Sequence, residues 1–276
     1  MSALTGWRFW RSPAAIAGLV LGGAVLAAAA LGPGIAPADP FTATAAPLRP
    51  PAPGHWMGTD DLGRDVLSGV LHGARVSLAV GLVTAAAASV IGTLVGASAG
   101  FYGGAVDDAL MRLTELVQVM PRFFLAVLVA ALFGPSFVFL TILLGLTFWP
   151  TTARLLRAQV FSLREREYVL AARALGFGDA RILLRHVLPN AIVVVVVSAA
   201  LQVGTAILVE ASLSFLGLGD RTLVSWGKML NDAQPFLRLA WWMSVFPGIA
   251  LVLTVLGVNL LADGIYQTWD PRARRG

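Results

Sequence analysis

Residues 167–190 read EYVLAARALGFGDARILLRHVLPN. The stretch carries Glu167, Arg173, Asp179, Arg181 and Arg185, yet it lies between two long charge-free runs. No Asp, Glu, Lys or Arg occurs between Arg122 and Arg154, or again between Arg185 and Glu210. Crossing a bilayer core takes about 20 apolar residues, and both runs are long enough. A polar segment between two such runs is a loop at one membrane surface. The chain therefore reads as an all-α membrane protein.

Composition agrees. Of 276 residues, 57% are hydrophobic and 13% charged, with a mean hydropathy of +0.78; a soluble domain carries about 25% charged residues. Cysteine is absent, so disulfides, thiolate metal sites and cysteine nucleophiles are excluded. The histidines, His55, His72 and His186, have no metal-ligand spacing. Working outward from the opening stretch, six spans are expected: residues 14–31, 76–101, 113–133, 137–153, 192–209 and 239–262. Residues 32–54 are too proline-rich for a helix. The third span is the awkward one, because it takes in Glu115 and Arg122 near the cytoplasmic mouth and Pro121 as a kink. With both termini inside, most of the 20 basic residues fall on the cytoplasmic side, among them Arg8, Arg11, Arg112, Arg122, Arg272, Arg274, Arg275 and the arginines from Arg154 to Arg185. The net charge of +5 thus reads as topology at a lipid surface, with no nucleic-acid partner.

Small residues recur every four positions at Gly69, Gly73, Ser77 and Gly81, and again at Gly92, Gly96 and Gly100. Such stripes let helices approach closely in lipid, and they also arise by chance in Gly- and Ala-rich spans. Around the central loop, Arg154, Arg157 and Arg164 share a helical face. A short helix over 167–175 puts Tyr168, Ala171, Ala172 and Leu175 on one side. Gly176 and Gly178 break it, Asp179 is placed as N-cap of a second helix over 180–187, and Pro189 marks entry into span five. This hinged elbow reads either as a docking element for another protein or as a helix lying on the headgroups, its arginines facing anionic lipid.

Several features carry no chemistry. GFGDAR has a GxG without a preceding strand or third glycine, and no Walker loop occurs anywhere, so nucleotide handling would fall to a partner. Asp60, Asp61 and Asp65 read as an external helix with an internal Asp60–Arg64 ion pair rather than a metal or paired-carboxylate site. Glu210, the lone acid at the outer end of span five, reads as facing a pathway or as wet at the interface.

The segments LAARALG (170–176) and LLRHVLPN (183–190) resemble the EAA loop of ABC importer permeases, matching at Ala171, Ala172, Gly176, Leu188 and Pro189. They depart at Leu170, where that loop has glutamate, and at His186, where isoleucine is common. HWMGTDDLGRDVLSGVLHGARVSL (55–78), ASLSFLGLG (211–219), SWGKMLNDA (225–233) and NLLADGIYQTWDPR (259–272) are similar to the dipeptide/oligopeptide/nickel class of that family. The resemblance implies a six-helix permease of the type I importer kind. Residues 1–54 would hold the cytoplasmic N-terminus, first span and external linker, and residues 55–276 the transmembrane domain, with its coupling loop at 154–190. The ATPase-coupling residues would be Tyr168, Ala171, Ala172, Gly176, Asp179, His186, Leu188 and Pro189. Gly58, Thr59, Asp60, Leu62, Gly63, Arg64 and Asp65 would form the external motif, and Glu210, Ser214, Phe215 and Gly217 the pathway or gate candidates.

The implied partners are a second homologous permease, two cytoplasmic ATPases that use ATP and Mg, and an external binding protein, in the inner membrane of a prokaryote. This chain would bind no cofactor or metal itself. Di- or oligopeptides are the expected cargo, with nickel or a metal chelate as the alternative. A stand-alone secondary transporter would show charged or unwound sites at mid-depth and internal repeats, and a membrane enzyme would show clustered catalytic polar residues; the spans offer neither pattern.

Overall fold

The structure is a computed structural model and describes residues 12–269. Arg8, Arg11, Arg272, Arg274 and Arg275, used in the topology reading, lie outside the described residues. Helix α1 spans Pro13–Ile35 and α2 Val66–Tyr102. They are followed by α3 (Gly104–Val119), α4 (Arg122–Phe133) and α5 (Phe137–Arg164). The elbow helix α6 is Glu167–Ala174, and α7 is Asp179–Phe215. An external helix α8, Trp226–Ala233, precedes α9, Trp242–Trp269. Among the described residues no strand forms; residues 36–65 hold three isolated bridges, Ala43 to Arg64, Ala52 to His55 and Thr59 to Asp65.

Among the described residues five helices are long and apolar enough to span, and α3 with α4 would make a sixth as a bent pair. The kink expected at Pro121 is a full break, where α3 and α4 meet at 69°. Met120 is extended (φ −74°, ψ 121°) because the following Pro121 excludes helical backbone from the residue before it. Glu115 and Arg122 therefore sit on opposite sides of a break. Glu115 is exposed, and the Arg122 guanidinium lies 4.7 Å from the Phe148 ring centroid.

Helix α2 starts ten residues before its expected apolar run. Its Asp65 N-cap accepts from the Ser68 amide at 2.8 Å and the Ser68 hydroxyl at 3.0 Å, with His55 Nδ1 2.9 Å away. At 37 residues α2 is about 55 Å long, well beyond a hydrocarbon core of about 30 Å, so it projects from the membrane. It is the centre of the bundle, packed against α1, α5 and α7. The glycine stripes explain how. A Cβ on Gly92 would stand 2.6 Å from Thr152 Cβ, and one on Gly100 2.7 Å from the Arg157 carbonyl, while Gly96 abuts the Ala153 carbonyl. Gly73 and Gly81 take Trp226 and Ile207 in the same way. In lipid, close backbone approach of this kind supplies the dispersion contacts that hold helices together. Helix α1 crosses α9 through Gly18, Gly22 and Gly257 on the same principle.

Candidate functional site

The elbow grows from the end of α5. Helix α6 begins after the extended residue Arg166, whose carbonyl accepts from the Val169 and Leu170 amides. It ends in a Schellman turn: the Gly176 amide donates to the Arg173 carbonyl (2.9 Å) and the Phe177 amide to the Ala172 carbonyl (3.2 Å). Gly176 has φ +80°, as that turn requires, and nothing lies within 4 Å of where its Cβ would be. Gly178 differs from the expectation. It is extended, with φ −67°, and is itself the N-cap of α7. Asp179 is the first residue of that helix and makes no side-chain cap bond; its carboxylate stands beside the positive end of the helix dipole.

The face that α6 turns inward is also corrected. Val169 and Ala172, three residues apart, are buried in a cluster with Phe101, Leu156, Val160, Ile182, Leu183 and Val187, and Leu188 packs against it. Tyr168, Ala171 and Leu175 point away, Leu175 being 74% exposed. The expected face is thus split: Ala172 turns inward beside Val169, while Tyr168, Ala171 and Leu175 form the exposed side. Phe177 folds back from the turn, stacked on half-buried His186 (centroids 6.0 Å apart) with the Arg181 guanidinium 5.4 Å from its ring.

Pro189 does not interrupt the chain. Residues Leu183–Val187 form a π-turn closed by the Leu188 amide on the Leu183 carbonyl, and α7 runs through it. One wide turn ahead of a proline accommodates the missing N–H and the ring without ending the helix, and the Asn190 side chain donates to the His186 carbonyl at 2.7 Å. The expected second short helix is thus the root of α7. The three arginines expected on one face of α5 have different surroundings. Arg154 is exposed, but Arg157 forms a two-point pair with Asp107 of α3. Arg164 caps the end of α2 through the Gly100 (3.1 Å) and Phe101 (3.3 Å) carbonyls.

On the opposite side, residues 58–65 form a knot of turns, not the expected helix. Gly58 (φ +75°) and Gly63 (φ +77°) set its corners. Buried Thr59 accepts from the Arg49 amide and donates to the Ala46 carbonyl, both at 2.9 Å, and its own carbonyl receives the Trp242 indole at 3.0 Å. Asp60 accepts from the Leu62 and Arg64 amides, and its expected pair with the Arg64 side chain is present. Leu62 is exposed. Arg64 also approaches Asp232 at 3.9 Å, which Lys228 holds at 3.1 Å, so the motif is tied to α8.

Glu210 is 4% exposed. One carboxylate oxygen accepts from the Ser214 hydroxyl at 2.7 Å, and the other has no protein partner. Together with Val76, Phe137, Asp220 and Ser225 these side chains line a cavity of about 10 Å³, room for about one water. The interfacial reading of a wet carboxylate is therefore replaced by a buried one under α8 and its loop. After Phe215, Gly217 (φ +82°) ends α7 with the same turn as Gly176, the Leu218 amide reaching the Leu213 carbonyl at 3.0 Å. The Phe215 carbonyl receives the Asn231 and Gln234 side chains.

A polar cluster was missed. Thr152 and Ser198 share a hydrogen bond of 3.0 Å, and Gln202 donates to both, all three buried at mid-length of α5 and α7. The four-residue spacing of Ser198 and Gln202 in an apolar run was its readable signal. Among the described residues no group of three His, Asp or Glu side chains could hold a metal.

Residues 67–275 match the family described as binding-protein-dependent transport system inner membrane component, and residues 2–51 match the N-terminal TM domain of oligopeptide transport permease C. The dipeptide transport system permease protein of Alkalihalophilus pseudofirmus is 40% identical over 82% of this chain and 75% of its own length. Its namesake in Bacillus subtilis is 40% identical over 82% of this chain and 71% of its own. In fold the chain is similar to a chain of the MetNI methionine ABC transporter in an inward-facing crystal form, with TM-score 0.57 and 19% identity, covering 73% of this chain and 96% of that one. On the match over residues 67–275 and the 40% identity to these relatives, the chain belongs to the binding-protein-dependent transport system inner membrane component family, as a multi-pass permease subunit of the type I ABC importer fold.

Proposed function

We propose that this chain is one of two pore-forming permeases in an ATP-driven importer of di- or oligopeptides. The elbow carries the proposal. Helix α6 is anchored by Val169 and Ala172, while Tyr168, Ala171 and Leu175 stay exposed beside a rigid glycine turn, a surface suited to the groove of an ATPase. The arginine distribution supports a cytoplasmic position for this loop and for both termini. ATP and Mg are then used by two ATPases, and closure of that pair drives the elbows together and rocks the spans between inward- and outward-open states. An external binding protein delivers substrate to the face built by residues 55–65 and α8. Glu210, Ser214, Phe215 and Gly217 sit where α7 meets that face, as a gate on the external side. The names of the relatives support peptide as cargo over a nickel chelate.

The test is reconstitution. The isolated chain hydrolyses no ATP, whereas vesicles containing it with its sister permease, ATPases and binding protein import labelled dipeptide. ATP turnover by the contaminant-free chain, or import of nickel chelate without import of peptide, overturns the proposal.

A further inference from the structure

Helix α3 is attached to the bundle in an unusual way. At its start Gly103 (φ +66°) and Gly104 (φ +52°) are consecutive left-handed residues, and no Cβ contact constrains Gly104. At its end stands the 69° break into α4. Of its sixteen residues only Asp107 and Thr114 are buried, and Thr114 spends its hydroxyl on the Leu110 carbonyl of its own helix. Val117 leans on the bundle. Among the described residues Asp107 alone of this helix makes an ion pair with another helix, accepting from both Nε and Nη2 of Arg157. Such two-point guanidinium–carboxylate pairs fix direction as well as distance.

Arg157 belongs to the body that carries the elbow. Its neighbours Leu156 and Val160 are fully buried in the cluster that holds Val169 and Ala172 of α6. A displacement of α6 therefore displaces Arg157. Without the pair, α3 would swing on two glycines and follow only loosely. We propose that Asp107 and Arg157 are positioning residues: their pair is the link through which a movement of the elbow reaches α3 and the broken span α3–α4. The link makes that span a lever, hinged at Gly103–Gly104 and pulled at Asp107.

This rests on the elbow being the ATPase-docking element, and the experiment separates the two. The chain has no cysteine, so spin labels at Val119→Cys on α3 and Ala86→Cys on α2, both exposed, report movement of α3 against the bundle in the complete importer. In the unmodified background the label separation changes on ATP addition. With Asp107→Asn the ATPases still co-purify and hydrolyse ATP, the separation no longer changes, and peptide imported per ATP falls by about tenfold, in the range expected when a coupling element is cut. Arg157→Lys keeps the charge but not the fork and gives an intermediate loss, and Asp107→Arg with Arg157→Asp restores both readouts. Wild-type separation change and import in Asp107→Asn overturn the link, as does a charge exchange that restores neither. Loss of ATPase co-purification in Asp107→Asn also overturns it, because the pair would then be holding the docking surface. Failure of the docking reading shows elsewhere, as an elbow variant that keeps its ATPases.

Discussion

Replacing Gly176 with valine isolates what the elbow turn contributes. The backbone there has φ +80°, a conformation in which a β-branched residue is strained. Nothing lies within 4 Å of the added Cβ, so the substitution clashes with no neighbour. Its effect is purely conformational, about 1–3 kcal/mol for one residue held in a disfavoured region. By the usual conversion this lowers the population of the native turn by roughly 5- to 160-fold. The spans are stabilised separately in lipid, so the variant inserts normally. What it loses is the Schellman turn that aims Tyr168 and Leu175 outward, and with it ATPase co-purification and peptide uptake. Gly176→Asn is the matched control, because asparagine tolerates the left-handed region, and it retains most of both. Wild-type co-purification and uptake in Gly176→Val would refute the coupling role and leave the headgroup-lying helix in its place.

Gly96→Leu drives a side chain into the Ala153 carbonyl, and overpacking of that kind costs about 1–3 kcal/mol; thermal unfolding in detergent should register the loss, whereas Gly34→Leu, which meets nothing, should not. Glu210→Gln keeps the shape of the buried side chain but replaces one carboxyl oxygen with an amide nitrogen, so assembly persists while uptake or its coupling to ATP hydrolysis changes; unchanged transport would return Glu210 to a packing role. Burial pushes the Asp220 carboxyl up, yet hydrogen bonds from Thr222 and the Phe137 amide outweigh it and hold the group below its ordinary 3.8. A depressed carboxyl stabilises above that value and loses its contribution as pH falls through the folded-state pKa. Hydrogen-exchange protection in residues 216–225, measured against the intrinsic rate at each pH, should therefore fall below about pH 3.8 in the wild type and respond less to acid in Asp220→Asn.

Features that need only nearby residues were legible in the sequence. Apolar run length gave the spans, because a bilayer imposes a minimum length whatever the neighbours are. Gly176 announced the end of α6, and the small-residue stripes marked faces of α2 that proved to be packed on both sides. Asp65 caps α2 through the Ser68 amide, although the apolar run that signals the span begins only at Val76. Tertiary structure decided matters that depend on partners distant in the chain. Whether Val169 or Tyr168 faced inward depended on where α2 and α5 stood, since an eight-residue helix with apolar groups on two sides does not orient itself. The turn over residues 58–65 closes around Trp242, and Asp107 meets Arg157 fifty positions away. Glu210 is enclosed by Val76 of α2, Phe137 and Leu140 of α5, and the loop residues Asp220, Leu223 and Ser225. Sequence periodicity sees one helix at a time, while burial, ion pairing and the direction of a broken span are properties of pairs of helices.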